Sequence, residues 1–381
     1  MPATMYNGQS LDKPAVIFDS GSGLCKAGIS GDTTPRSLIP SVVGRCRNSL
    51  TLIGAKKKPF YIGHEAQALR GILSFKHPME HGIVTSWPDM EKIWKHVYNC
   101  ELQIEPSERP VMLTEAPLNP ISQRERTAEV MFETFRVPAM HIALQPTLPL
   151  YANGRMTGLV VECGDGVTHT FPIFEGFFMA HAGKRLDVAG RDITKYFTRL
   201  LLESGTSLVS SSEKEIAKEI KEELCYVALD LCEEMNKDPK YVLNNYSLPD
   251  GNVIVVGNQR FRAPEILFSP CNIGVEAPGL HKMIFNSIQK CDRDVRGALY
   301  SNIILSGGST LFLGMEDRIC KEMKALTPGG VQVNIIAPNQ RLFSVWIGAS
   351  VLTSLKSFRD MWVTSADYKE FGPLAVHRSY S

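Results

Sequence analysis

Asp19-Ser20-Gly21-Ser22-Gly23 is the stretch on which the reading of this chain turns. Ala15-Val16-Ile17-Phe18, apolar and partly β-branched, precede it, and Leu24-Cys25-Lys26-Ala27-Gly28 follow, a pattern that predicts strand, glycine turn, strand. Glycine accepts φ > 0 and has no Cβ to obstruct close approach. Successive N–H groups in such a turn face one concavity, which is how a loop cradles phosphate oxygens. Asp19, at the mouth of the turn, is placed to hold a magnesium ion directly or through water, and Lys26 to reach the phosphates. Alone, the pattern equally suits a plain hairpin.

An echo in the second half changes the balance. Gly158-Leu159-Val160-Val161 leads into Glu162-Cys163-Gly164-Asp165-Gly166, and Val167-Thr168-His169-Thr170-Phe171 resumes an alternating strand. A third glycine signal, Ser306-Gly307-Gly308-Ser309-Thr310, lies between a strand at Ser301–Leu305 and a helical pattern from Met315 to Leu326. Strand, Gly-Gly turn and helix make a phosphate- or nucleoside-binding arrangement, because a helix N-terminus presents free N–H groups. Three such loops predict a nucleotide clamped between two related lobes.

The 381 residues suffice for two lobes, a protein near this size burying roughly 75% of its unfolded surface. With 44% hydrophobic and 21% charged residues and a net charge of +1, the chain lacks the basic excess of nucleic-acid binders. Its nine cysteines show no C-x-x-C spacing, which fits reduced thiols in a cytosolic or nuclear compartment. Met1–Lys13 lacks the apolar core of a signal peptide, and no apolar run approaches the ~20 residues of a membrane span. The expectation is a soluble intracellular protein.

Taken in order, the chain next shows short strands between Pro40 and Pro78, read as a small excursion with an exposed tip at Asn48–Pro59 that carries Lys56-Lys57-Lys58. The lysine run reads as a solvated tip or as a site for an acidic partner. Asp89–Cys100 is helical, with Trp94 and Val97 on one buried face, and Pro110–Glu115 is a strand. Ser122-Gln123-Arg124-Glu125 matches a capping box opening a helix to about Phe135. Gln145, before Pro146, is either a structural hydrogen-bonder or an amide that orients an attacking water. A helix is expected from about Ile193 to Glu203. Ser212-Glu213-Lys214-Glu215 is a second capping box, opening a helix through Leu231 on which Lys218, Lys221 and Glu222 share a face. That face is a solvated charged stripe or a shelf for base and ribose. Leu248–Asn252 is a turn between strands, Gln332–Ala337 a strand and Ser344–Ser354 a small-residue-rich helix. His81 and His169 read as packed or hydrogen-bonded histidines, and no His/Cys metal set appears.

Gly21-Ser22-Gly23-Leu24, Arg70-Gly71-Ile72-Leu73, Met90-Glu91-Lys92-Ile93-Trp94 and Leu113–Pro120 resemble stretches of the actin family. So do Gly164–His169, Ala189-Gly190-Arg191-Asp192, Leu224–Asp230 and Ser344-Val345-Trp346-Ile347-Gly348. The resemblance runs from about Val16 to Arg378, with a slightly short region at Asn236–Asn245, and is to a divergent actin-related protein. Met361–Asp367 is similar to testis-type actin-related proteins.

The resemblance implies an α/β, two-lobed actin-like ATPase fold: duplicated ribonuclease H-like domains with a nucleotide cleft between the lobes. It places residues 1–40, 78–152 and 344–381 in one subdomain and 41–77 in a second. A third comprises 153–188 with 276–343, and a fourth 189–275. It implies ATP or ADP with Mg2+ or Ca2+. Asp19 would order the ion's water shell, and Ser22, Gly23, Leu24 and Lys26 would line the phosphates. Gly164, Asp165, Gly166 and Val167 would form the second phosphate loop, and Gly190 would be a further cofactor-binding residue. Lys218, Lys221 and Glu222 would meet base and ribose, Gly308, Leu311 and Phe312 would cover the base, and Gln145 and His169 would place the attacking water.

Departures from the family pattern qualify these implications. Glu162 stands where the family has aspartate, and a misplacement of ~1 Å can cost about a hundredfold in rate. Ser20 replaces a small amide, Cys163 a serine, and Leu342 a lysine that touches the base. Asn272, in the loop Cys271–Val275, occupies the place of a filament-stabilising phenylalanine, and the ending Ser379-Tyr380-Ser381 is unusual. ATP binding with slow or absent hydrolysis and poor self-assembly is therefore expected. The cleft at Tyr151, Ala152, Gly154, Ile347, Val351, Leu352, Leu355 and Met361 implies cytoskeletal or actin-binding partners, and actin-like subunits are further candidates. Thr33 and Ser107 replace acids and Met1–Lys13 carries only Asp12, which argues against myosin. The implied role is a cytoskeletal scaffold or complex subunit in the cytoplasm, with the nucleus as an alternative. A polymerising ATPase and a small-molecule kinase on the same fold are the competing readings.

Overall fold

The computed structural model describes residues 11–46, 58–208, 210–248 and 251–380. The chain divides into two compact units, Met1–Arg155 with Phe343–Ser381 and Met156–Leu342. Each is built on one principal sheet, and the two sheets share an order. In the first unit Ser37–Pro40, Leu24–Ile29 and Val16–Ser20 form an antiparallel meander. Val111–Glu115 and then Ala139–Leu144 continue the sheet in parallel, and Val363–Thr364 closes the edge. In the second, Phe177–Phe178, Thr168–Phe174 and Gly158–Cys163 form the meander, and Ile303–Ser306 and Ile335–Ile336 follow in parallel. Numbered within its own unit, each sheet reads 3-2-1-4-5, the duplicated topology expected from the sequence. Parallel neighbours require long crossovers, which is why helices separate these strands.

The central strand of each sheet, Val16–Ser20 in one and Gly158–Cys163 in the other, is fully buried and is apolar up to the acid near its end, as strands covered on both faces must be. In the first unit one face packs on Met90, Trp94, Tyr98 and Phe132. The other packs on the helix Ser344–Thr353 through Trp346, whose indole N–H donates to the Ile17 carbonyl at 3.3 Å. Phe197, Ile284, Leu305 and Ile319 belong to the second unit's core. The excursion after Pro40 forms a separate three-stranded sheet, Tyr61–Ile62, Val43–Cys46 and Leu73–Lys76, over a small core of Val42, Tyr61, Ala66 and Leu73. Most of the tip Asn48–Pro59, Lys56 and Lys57 among it, lies outside the described residues, as does most of Met1–Lys13.

Several local expectations require correction. Ser122 does not cap a helix: Pro120 takes the N-cap position and the helix is Ile121–Glu129. The Glu125 side chain expected to close the box pairs instead with His377 at 3.0 Å, and its neighbour Arg124 with Glu115 at 2.6 Å. The second box exists two residues earlier, with Ser210 Oγ accepting from the Glu213 N–H and Glu213 accepting from the Ser210 N–H. Its helix stops at Leu224 rather than Leu231. There the Leu224 carbonyl accepts from Arg260 Nε, and the N–H groups of Tyr226 and Val227 donate to Arg260 and Leu313. Tertiary partners for these backbone groups replace the next helical turn. The helix expected at Ile193 begins at Gly190, and the strand within Gln332–Ala337 shrinks to Ile335–Ile336.

Candidate functional site

The first glycine turn is tied back by its carbonyls. Ser41 N–H donates to Gly23 O at 3.0 Å and Ser41 Oγ to Gly21 O at 2.7 Å. In a planar trans peptide the following N–H points opposite its carbonyl, so the N–H groups of Ser22 and Leu24 face away from Ser41. Gly82 N–H donates to Ser22 Oγ at 3.0 Å. Asp19 is not at the mouth of the turn: it is the fourth residue of Val16–Ser20 and 2% exposed. Its Oδ2 accepts from Lys26 Nζ at 2.8 Å, and its Oδ1 from Thr114 Oγ1 at 2.7 Å and Gln145 Nε2 at 3.3 Å. Lys26 is directly opposite Asp19 in the hairpin register, so its ammonium is engaged on that carboxylate.

The second turn is held in the same manner. Gly164 O accepts from Gly190 N–H at 3.0 Å and Ser309 Oγ at 2.7 Å, and Asp165 O accepts from Arg191 N–H at 2.8 Å. The N–H groups of Asp165 and Gly166 therefore face the opposite way. Gly190 has to be glycine: a Cβ there would lie 2.7 Å from Ser309 Oγ and 3.2 Å from Gly164 O. Arg191 also pairs with the Asp165 carboxylate at 2.9 Å. Lys221 is buried and donates to Gly190 O at 3.2 Å, its pKa lowered by that burial. The expected trio is thus split, Lys221 bracing the loop from beneath while Lys218 is half-buried and Glu222 exposed.

Glu162 stands opposite both His169 and Ser306 in register, which puts the three side chains on one face of the second sheet. His169 is fully buried, and its Nε2 lies 3.6 Å from Glu162 Oε2. Burial, with a smaller push from Arg185, lowers the His169 pKa to about 3, so the imidazole is neutral and this contact is not an ion pair. Unfolded, the same histidine titrates near 6.5. The unfolded chain then binds the extra proton first, and the stability tied to a neutral His169 is complete above pH 6.5 and is lost as pH falls toward 3. Urea titrations across that window are expected to fall more steeply for the native chain than for His169→Phe; parallel curves would refute this assignment.

The third unit keeps the expected order of strand Ile303–Ser306, glycine turn and helix Met315–Leu326, but the turn does not run directly into the helix. Gly308–Thr310 is a short 3-10 turn, and the helix Met315–Leu326 starts only after Gly314, at φ +80°. A Cβ on Gly314 would lie 2.4 Å from Val227 O, so that helix end is packed against backbone. Phe312 belongs to the second unit's core, whereas Leu311 is exposed and Leu342 approaches Gly308.

Within each unit, the outward N–H groups of the turn and the acid beside it have the chemistry to meet a phosphate oxygen and an ion's water. A carboxylate offers about four acceptor sites, and Asp19 uses three, which leaves one for an ion or its water. Both ring nitrogens of His169 and Ser306 Oγ are buried with no hydrogen-bond partner among the described residues, and groups of this kind are normally satisfied by ordered water. Sequence reading missed Ser41, Thr114, Arg191, Ser306 and Ser309. The motifs Leu113–Pro120, Ala189–Asp192 and Ser306–Thr310 contained all of them but Ser41, whereas the register that sets Glu162 opposite Ser306 depends on a pairing across about 140 residues of chain.

A duplicated 3-2-1-4-5 sheet with an acid and a glycine turn ending the central strand of each copy defines the class. Residues 10–381 match the actin family model, and the chain belongs to the actin family. In the first unit Tyr151, Ile347 and Leu352 are half-buried against Trp346 and Phe358, while Val351, Leu355 and Met361 are exposed at 43, 51 and 40%. No helix of the described residues is long and apolar enough to cross a membrane, and all nine cysteines are free thiols.

Proposed function

We propose that the chain is an ATP-binding, actin-related cytoskeletal protein that works as a scaffold or complex subunit, with hydrolysis weak or absent and poor self-assembly. The observation that carries this reading is the repeated device at the end of each central strand: an acid, and a glycine turn whose carbonyls are tied back so that its N–H groups face outward. Ser22, Gly23 and Leu24 of one turn and Gly164 to Val167 of the other take the phosphates. Asp19 orders the water shell of Mg2+ or Ca2+, which when bound neutralises phosphate charge. Gln145, anchored on Asp19, and neutral His169 accept and orient water, and Glu162 carries its carboxylate one methylene too far for the same task. ATP with Mg2+ at a hundred times its dissociation constant is expected to stabilise the chain by about 2.7 kcal/mol. An unchanged melting temperature at saturating ATP would remove nucleotide binding from the account.

Poor assembly rests on the loop Cys271–Val275. Pro270–Ile273 is a 3-10 turn closed by Gly274 at φ +79°. Ile273 and Val275 pack against the unit's own core, leaving Cys271 and Asn272 exposed at the tip. Asn272→Phe would add roughly 1.5–3 kcal/mol of buriable apolar surface per contact. It is expected to shift protein into the pellet in polymerising salt, and a supernatant identical to that of the unaltered chain would count against this loop as the limiting feature. Cytoskeletal partners engage the patch formed by Val351, Leu355 and Met361 beside Tyr151 and Leu352.

A further inference from the structure

Away from the glycine turns, one buried acid gathers three cations. Asp89, in the first turn of the helix Trp87–His96, has a side chain only 3% exposed. It pairs with Arg45, with Lys92 Nζ at 2.9 Å and with Lys76 Nζ at 3.7 Å, and accepts from Ser86 Oγ at 3.2 Å. Arg45 and Lys76 come from adjacent strands of the small sheet, where Arg45 is opposite Ser74 and Val43 opposite Lys76, so both project from one face. Burial of Asp89 works against its ionisation, but the hydrogen bonds and charges of Arg45 and Lys92 outweigh it and bring its pKa to about 2. The carboxylate is therefore charged throughout the physiological range.

The balance at this point is uneven. A guanidinium carries five N–H donors and each ammonium three, against about four acceptor sites on one carboxylate. Among the described residues three positive charges meet one negative, and while the acid is buried the cationic side chains are 40, 58 and 30% exposed for Arg45, Lys76 and Lys92. Lys95, exposed and three residues beyond Lys92, extends the row along the helix. Lys58 does not contribute in the same way, because Glu65 neutralises it at 2.6 Å. Lys92 also lies over the Phe60 ring at 5.1 Å, which orients its head group. Asp89 thus acts as an internal template that holds the cations in fixed positions with their surplus charge outward, and a preorganised site forfeits less side-chain entropy on binding.

We propose that Arg45, Lys76 and Lys92 form a docking site for an Asp/Glu-rich segment of a partner protein. Two carboxylates suffice to neutralise the surplus, which matches a short acidic peptide. Nucleic acid calls for a longer basic stripe, and anionic membranes for clusters of roughly four to eight Lys/Arg. The site is independent of nucleotide.

The experiment is fluorescence anisotropy of a labelled hexaglutamate peptide against the full chain. Binding is expected at low salt and should weaken as salt screens it. Lys76→Glu is expected to weaken it at least tenfold in a chain that still shows a cooperative melting transition. Lys195→Glu, which alters an exposed lysine of the other unit, is expected to leave it unchanged. Absence of binding at low salt, binding retained in Lys76→Glu, or an equal loss in Lys195→Glu would each overturn the proposal. So would binding of phosphatidylserine vesicles that is lost in Lys76→Glu while the peptide does not bind at all.

Discussion

Glu162→Asp is expected to raise ATP turnover by up to about a hundredfold. Glu162 is the penultimate residue of Gly158–Cys163 and faces His169 across the antiparallel pair, with its carboxylate 3.6 Å from His169 Nε2. Removing one methylene retracts the carboxylate toward its own backbone by roughly one C–C bond, about 1.5 Å. The gain follows because phosphoryl transfer depends on positioning and electrostatics. His169 stays neutral in the variant, since its state is set mainly by its own burial. Single-turnover phosphate release is the measurement. An unchanged rate in a variant that still shows the ATP-dependent thermal shift would locate the slow step elsewhere.

Gly348→Ala is expected to give the largest loss of stability, about 3 kcal/mol or more. A Cβ at Gly348 would lie 1.9 Å from the Leu148 carbonyl oxygen and 2.8 Å from Leu148 Cα. The obstruction is backbone, so no rotamer change relieves it, and Ser344–Thr353 would have to separate from Leu148–Ala152. The same helix carries Trp346, which fills the space beside Gly28 of the first hairpin. Displacing it is therefore expected to weaken the ATP-dependent shift as well as the melting temperature. Calorimetry of Gly348→Ala beside the exposed Gly71→Ala, where a Cβ meets nothing within 4 Å, separates this steric effect from the general effect of replacing glycine. Similar melting temperatures for the two variants would refute the close approach.

Local signals carried far along this chain. Apolar β-branched runs ending in an acid and a Gly-x-Gly turn are sufficient to specify the two hairpins, because neighbours in sequence decide a hairpin's pairing and turn geometry. Trp94 and Val97 were legible as core by helical spacing, and both are buried. The capping boxes show where such reading fails. At Ser210 the chemistry was right and the register two residues off. At Ser122, Pro120 took the N-cap position and the distant His377 took the Glu125 carboxylate that the motif assigned to the helix end.

What the amino-acid order determined by itself is the family, the duplicated strand–turn–strand units and the identities of Asp19, Glu162 and the glycines between strands. What only tertiary structure decided is which groups those residues meet: Thr114 and Gln145 on Asp19, Gly190 and Ser309 on Gly164, Lys221 beneath Gly190, and three cations on Asp89. Turn and strand preferences arise from sterics within a few residues. A buried polar group instead accepts whichever partner the packed chain brings within about 3 Å, and that partner can come from any distance along the sequence.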